Sequence, residues 1–165
     1  MPTETEVRFV DYILDLVQDT GIRVALRSGL GRSVDQSMRM HAYLSRWTDS
    51  GKPHQEAVRY TVAALIAHNP VGANPEKSPG NVGASIAQYR TLAPATRESS
   101  VHLLARQPAN QLCRMLTRIV VPLRSDSVAV DFAALVHDAS AWPWQHTTIA
   151  RHWLQAYYRA DAIES

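Results

Sequence analysis

Apolar residues recur at three- and four-residue steps along most of the chain, and this period predicts α-helices. In the first segment Val10, Ile13 and Val17 follow the spacing. Thr5 precedes them and is a candidate N-cap. No segment alternates apolar and polar residues as a half-buried strand does. The pattern therefore predicts an all-α protein.

Glycines, prolines and capping residues divide this pattern into about nine helices. The predicted helices cover approximately residues 5–17, 21–27, 33–51, 53–68, 82–90, 94–106, 108–123, 130–139 and 143–159. Ser33 and Gln36 form a candidate capping box at the start of the third helix. Residues 70–81 contain three prolines and two glycines and are predicted to form a loop without helix. We expect one all-helical domain over residues 1–165, packed as two small bundles at about 1–90 and 91–165.

The composition limits the class of protein. A chain of 165 residues with 45% hydrophobic residues can bury a core of its own. Its one cysteine, Cys113, excludes an internal disulfide and a zinc site built from several thiolates, and it is predicted to lie in the core. We find neither a leader-like start nor a run of about 18 apolar residues, so we predict a cytoplasmic protein without a membrane partner.

The net charge of +2 hides an uneven distribution of charges. Residues 1–19 are acidic, whereas residues 20–34 and 99–125 contain no Asp or Glu. The arginines in the two acid-free windows are Arg23, Arg27, Arg32, Arg106, Arg114, Arg118 and Arg124. Arginines without a local carboxylate are available for phosphate, which favours nucleic-acid binding. A chance fluctuation in charge is the alternative explanation.

The helical period places some of these arginines on common faces. Arg23 and Arg27 are four residues apart, as are Arg114 and Arg118, so each pair lies on one side of its helix. On the predicted 108–123 helix, the basic stripe lies on a different face from the apolar positions. The candidate nucleic-acid-binding residues are therefore Arg23, Arg27, Arg106, Arg114 and Arg118.

Seven histidines raise the alternative of a metal enzyme. His137 and Asp138 are adjacent, as in metal phosphohydrolases, but His146 and His152 are six residues apart rather than four. No nucleophile elbow, P-loop or dinucleotide fingerprint is present. We predict no catalytic residue, metal or cofactor. Two alternatives stay open: a helical metal-dependent phosphohydrolase, and a protein–protein adaptor whose arginines form intramolecular salt bridges.

The order of short motifs from about residue 21 to residue 158 resembles a known family. The motifs are Gly-Ile-Arg-Val-Ala-Leu-Arg at 21–27, Ala-Ala-Leu-Ile-Ala-His at 63–68, Gly80 and Gly83 with Ser-Ile-Ala at 85–87, Leu-Leu-Ala at 103–105, Gln-Leu-Cys-Arg-Met-Leu at 111–116, Val-Asp-Phe-Ala-Ala-Leu at 130–135, Asp138 and Trp142, Arg-His-Trp at 151–153, and Tyr-Tyr at 157–158. In this order they resemble CasB, the small subunit of the type I-E CRISPR surveillance complex Cascade.

The resemblance implies a non-catalytic protein of two helical bundles that works inside Cascade. Its implied partners are the other Cascade subunits, a second copy of itself in a head-to-tail pair, guide RNA and single-stranded DNA. It would help to stabilise guide RNA and target DNA and would hold the displaced non-target strand. The implied binding role falls best on Arg27 and Arg114, then on Arg23, Arg106 and Arg118. One departure is the stretch 97–100, Arg-Glu-Ser-Ser, where the family often has paired basic residues.

Overall fold

The computed structural model describes residues 1–164, which contain eight α-helices, several 3₁₀ turns and no β-strand. The α-helices are α1 (Glu4–Leu16), α2 (Thr20–Arg27), α3 (His41–Leu44), α4 (Pro53–His68), α5 (Val82–Ala87), α6 (Pro94–Ala105), α7 (Ala109–Val120) and α8 (Phe132–Glu164). The predicted all-α class is confirmed. None of these helices is both long and apolar enough to cross a membrane.

Helices α4 and α8 lie at the centre of the molecule. The last two turns of α4 are buried on every side from Val62 to Ala67, and α1, α2, α7 and α8 pack around this helix. α5 packs closely on α8, because Gly83 lies against the backbone carbonyl of Trp153 and leaves no room for a Cβ. Buried apolar side chains from Phe9 to Tyr157 form one connected cluster. The division into two bundles stays a prediction.

The first helix begins earlier than predicted. Thr3, not Thr5, is the N-cap of α1: its hydroxyl accepts a hydrogen bond from the backbone N–H of Glu6. The Glu6 carboxylate in turn accepts from the backbone N–H of Thr3, which completes a capping box. Both threonines precede the apolar run, and only Thr3 has an acidic residue at the third helical position.

The predicted helix over 33–51 is wrong as a continuous element. The chain there forms 3₁₀ turns at Val34–Gln36, Met38–Met40 and Ser45–Trp47, with the single α-turn α3 among them. Side-chain hydroxyls bond to nearby carbonyls: Ser37 to Ser33, Ser45 to His41 and Thr48 to Leu44. The same type of bond occurs inside the intact helices α6 and α7, so these bonds accompany the break rather than cause it. The backbone leaves helical geometry at Ser37, where φ is −94° and ψ is 53°.

The predicted helices 130–139 and 143–159 both lie within α8, which consists of two helical stretches separated by a kink. The chain leaves helical geometry inside α8 at Gln145, where φ is −126° and ψ is 24°. Pro143 lacks the N–H that would bond to the Ala139 carbonyl, and His54 of α4 donates to that carbonyl instead at 2.7 Å. The prediction of two helical segments around Pro143 therefore agrees with the structure, in which the interruption lies at Gln145, two residues after the proline.

The remaining predicted helices agree with the structure to within three residues at each end. The predicted loop at 70–81 contains no α-helix, but it does form 3₁₀ turns at Pro70–Ala73 and Pro75–Lys77. The side chains of Asn69 and Asn74 cap these two turns. The backbone N–H of Val130 donates to the Gly72 carbonyl at 2.8 Å, which holds the loop against the start of α8.

Candidate nucleic-acid interface

The C-terminal end of α4 collects arginines from two other segments. Arg23 of α2 donates through Nε to the Ala67 carbonyl at 2.9 Å, and Arg124 donates through Nη1 to the His68 carbonyl at 3.1 Å. The last carbonyls of a helix lack intrahelical partners and carry partial negative charge, so they attract cations. The end of α4 therefore fixes the position of both guanidinium groups.

A third arginine joins these two around His68. The pKa of His68 is lowered, first by burial and then by the positive charges of Arg124, Arg27 and Arg23, while a hydrogen bond with the backbone of Val121 opposes the shift. The four side chains are therefore close enough to interact electrostatically. We call Arg23, Arg27 and Arg124 the arginine cluster.

The arginine cluster borders a cleft of about 720 Å³ beside the 70–81 loop. Arg23 and Arg124 line this cleft together with Lys77. None of its lining residues, all within the described chain, is acidic. Three cations around a cleft without carboxylates favour an anionic ligand.

Arg114 and Arg118 lie on the exposed face of α7. The opposite face packs into the core through Leu112, Leu116 and Val120. Both arginines are exposed, and they are one helical turn apart, so they form a short basic stripe. The stripe predicted from the sequence is therefore present at the surface.

A narrow cleft of about 230 Å³ lies between α7, α4 and the segment that follows α2. Arg114 and Arg32 line it, and no lining residue is acidic among those described. Cys113 also lines it; burial raises the pKa of this thiol, although a hydrogen bond with Thr61 opposes the shift. A raised pKa keeps the thiol protonated at neutral pH, which is not the state of a cysteine nucleophile.

Arg106 is separated from the other predicted site residues. It is the C-cap of α6 and lines a third groove, formed with the second half of α8. That groove shares no lining residue with the two clefts near Arg23 and Arg114. The structure thus brings Arg23 and Arg27 together, places Arg114 and Arg118 along α7, and leaves Arg106 at a separate surface.

The adaptor alternative requires the arginines to form intramolecular salt bridges with carboxylates, and three of them do not. Among the ion pairs found within residues 1–164, none includes Arg27, Arg114 or Arg118. Arg97, in contrast, is only 2% exposed; it contacts Asp161 at 3.3 Å and donates to the carbonyls of Tyr89 and Leu92. Arg97 therefore holds the start of α6 in place and is not available to a ligand.

The residues of the phosphohydrolase alternative are used in packing. His137 lies 3.0 Å from the Glu6 carboxylate, and the Asp138 carboxylate accepts a hydrogen bond from Trp153 Nε1 at 2.9 Å. His146 bonds to the Ala105 carbonyl at 2.7 Å. No group of three or more His, Cys, Asp or Glu side chains in the described chain could hold a metal ion.

Three basic residues line the clefts but are not among the binding residues predicted from the sequence: Arg32, Arg124 and Lys77. Arg32 and Arg124 come from the same acid-free windows, so that pattern was a usable signal for both. Lys77 comes from the 70–81 loop, next to Glu76, and nothing in the local sequence indicates that it faces Arg23.

The family model for CRISPR-associated protein Cse2 matches residues 23–158 of this chain. The chain belongs to the Cse2 family. The resemblance to CasB that the motifs indicate is confirmed by this match and by solved structures with the same fold. Among curated proteins, none matches the chain.

Solved structures agree with the Cse2 assignment over nearly the full length. A chain of a "CRISPR RNA-guided surveillance complex" superposes with a TM-score of 0.82 at 29% identity, covering 97% of this chain and 95% of that chain. CasB from M. ruber gives 0.76 at 24% identity, covering 98% and 97%. A Cse2-family protein from Thermus thermophilus gives 0.79 at 22% identity, covering 97% and 100%. The last two matches establish the shared fold.

Proposed function

We propose that this protein is a non-catalytic, cytoplasmic small subunit of a type I-E Cascade complex. In this role it holds single-stranded nucleic acid by the phosphate backbone. Its partners are the other Cascade subunits, guide RNA, single-stranded DNA and a second copy of itself. The observation that carries the proposal is the arginine cluster at the end of α4, beside a cleft whose lining contains three cations and no carboxylate.

The exposed stripe on α7 extends the same proposal. Arg114 and Arg118 make no ion pair within the described chain, so their guanidinium groups are available for phosphate. A protein that holds a strand of any sequence needs such backbone contacts rather than hydrogen bonds to base edges. Membership of the Cse2 family and the match to a chain of a surveillance complex support the same role.

The net charge of +2 predicts that the isolated subunit binds weakly. The positive charges of the arginines are largely balanced by carboxylates elsewhere in the chain, including those of α1, so long-range attraction is small. Inside an assembled complex the strand is held nearby, and its effective concentration compensates for the weak intrinsic affinity. We therefore expect the isolated subunit to bind the strand more weakly than the assembled complex does.

Fluorescence anisotropy with a labelled single strand of about 30 nucleotides tests the proposal. We expect sequence-tolerant binding at low salt and a linear fall of log affinity with log salt, as release of counterions requires. If the isolated protein does not bind, the titration is repeated with the assembled complex, with and without this subunit. Equal strand affinity of the two complexes would refute the proposed role.

A further inference from the structure

A third groove lies between the end of α6 and the second half of α8, with a cavity volume of about 760 Å³. Its apolar lining comes from Ala105, Ala150 and Leu154. Three arginines also line it: Arg106, Arg151 and Arg159. No acidic residue is among the described residues of the lining. The groove thus combines an apolar surface with three positive charges.

The positions of the arginines follow from helix geometry. Arg151 and Arg159 are eight residues apart on α8, so they lie on one face and are separated by about 12 Å along the axis. Arg106 reaches the same groove from the C-cap of α6. All three side chains belong to exposed residues, and none makes an ion pair within residues 1–164.

An aromatic ring completes the groove. Tyr158 lines it and is 43% exposed. Its hydroxyl lies 2.8 Å from His102 Nε2, and its ring packs edge-on against Tyr157. These two contacts hold an accessible ring in one orientation. Aromatic rings held in this way are the stacking platforms of proteins that bind single strands.

We propose that this groove is a second binding site for single-stranded nucleic acid, in which Arg106, Arg151 and Arg159 contact phosphates and a base stacks on Tyr158. The inference rests on the proposed function and extends it to a surface on which sequence analysis places only Arg106. Phosphate is the matching charge for three arginines that make no ion pair within the described residues. The Glu98 carboxylate bonds to the Tyr158 hydroxyl and leaves the face of the ring to an unstacked base on the apolar lining.

The groove and the α7 stripe are close enough to share one strand. Arg106 lies three residues before α7, and Arg114 is five residues inside it. Their Cα atoms are therefore separated by at most about 18 Å, from the reach of an extended chain and the rise of a helix. A strand of a few tens of nucleotides is therefore long enough to reach both surfaces.

The first test compares two double variants in the anisotropy titration with a 30-nucleotide oligo(dT). R151A/R159A removes two exposed arginines from the groove, and R8A/R39A removes two exposed arginines from other surfaces. We expect R151A/R159A to bind at least about fivefold more weakly than the control. Its salt dependence should be lower by about 1.4 in log–log slope, or 0.7 for each phosphate contact.

The second test addresses the aromatic ring. A strand that carries 5-iododeoxyuridine should photocross-link to Tyr158, and mass spectrometry of the conjugate identifies the residue. Y158F should keep the wild-type affinity because the stacking surface remains. Y158A should bind about fivefold or more weakly. Equal affinities of Y158F and Y158A would refute the stacking role.

These measurements separate failure of the groove from failure of the proposed function. If the wild type binds the strand and R151A/R159A behaves as R8A/R39A does, the groove is not a strand site, although the proposed function stands. Both proposals are wrong if two results occur together: the isolated wild-type protein does not bind the strand, and the complexes with and without this subunit bind it with equal affinity. If R151A/R159A binds the strand more weakly and R8A/R39A does not, the result supports the groove as a strand-binding site.

Discussion

His54 of α4 donates a hydrogen bond to the Ala139 carbonyl of α8 at 2.7 Å, across 85 residues of sequence. This carbonyl is available because residue 143 is a proline, which has no N–H to close the helical bond. The two central helices are therefore joined at the point where α8 loses a bond of its own. The Ala139 carbonyl, which has no helical donor in α8, thus makes a tertiary contact with α4.

The link between His54 and Pro143 can be measured by a double-mutant cycle. We expect H54A to lower the free energy of unfolding by about 1–3 kcal/mol, because the buried carbonyl loses its donor. In a P143A background, the N–H of residue 143 can bond to that carbonyl, so H54A should cost less. Urea denaturation of the four proteins gives the coupling energy. Additive effects of the two substitutions would contradict this account.

The exposed stripe on α7 predicts a selective loss of strand binding. R114A/R118A should weaken binding to single strands of any sequence and reduce the log–log salt slope by up to about 0.7 for each phosphate that is no longer neutralised. Unfolding by urea should be almost unchanged, since both side chains lie on the exposed face. R8A/R39A is the control for charge. An unchanged slope would remove Arg114 and Arg118 from the binding surface.

The arginine cluster predicts a change at His68 when a strand binds. Its pKa is lowered by burial and by Arg124, Arg27 and Arg23. Phosphates that neutralise these arginines should raise the pKa, so the complex takes up protons and the affinity should increase as pH falls through the transition. NMR titration of the His68 Cε1–H resonance, with and without oligo(dT), checks this shift. A saturated complex with an unchanged pKa would place the strand elsewhere.

Asp138 predicts a pH-dependent contribution to stability. Burial raises the pKa of its carboxyl, and the hydrogen bond from Trp153 only partly opposes the shift. A carboxyl with a raised folded-state pKa favours folding fully below its unfolded pKa, near 3.8, and this contribution is lost as pH rises through the folded value. D138N keeps an oxygen acceptor for Trp153 and does not ionise.

The unfolding free energies of wild type and D138N, measured from pH 3.5 to pH 7.5, test this expectation. Relative to the wild type, D138N should gain stability as pH rises, by about 1.4 kcal/mol for each unit by which the pKa is raised. The conservative change at an exposed carboxylate, Asp11→Asn, is the control. A constant difference between wild type and D138N over this range would show that Asp138 is not shifted.

Helix positions were predictable because each helix carries its own period and its own end signals. Pro53 and the Asn69–Pro70 pair bound α4 in the sequence as they do in the structure. The segment 33–51 was not predictable in the same way, because the backbone leaves helical geometry at Ser37, which is buried beside Gly29 in a contact that the local spacing does not show. Pro143 indicated a break, and the chain does leave helical geometry two residues later, at Gln145.

The arrangement of the candidate site residues was predictable only where the residues lie on one helix. The face shared by Arg114 and Arg118 follows from their spacing on α7. The arginine cluster could not be derived in this way, since Arg23 and Arg124 meet at carbonyls that belong to a third segment, the end of α4. Nor does any local pattern show that Arg106 faces Arg151 and Arg159 rather than Arg114.

The sequence by itself determined the all-α class, most helix ends and the two windows in which arginines have no acidic neighbours. These features depend on residues within one or two helical turns of each other, where period and capping act directly. Only the tertiary structure decided which arginines share a surface, because that depends on how whole helices pack. The same packing assigned Arg97 to the interior and Arg27 to the solvent, although both are arginines on helices.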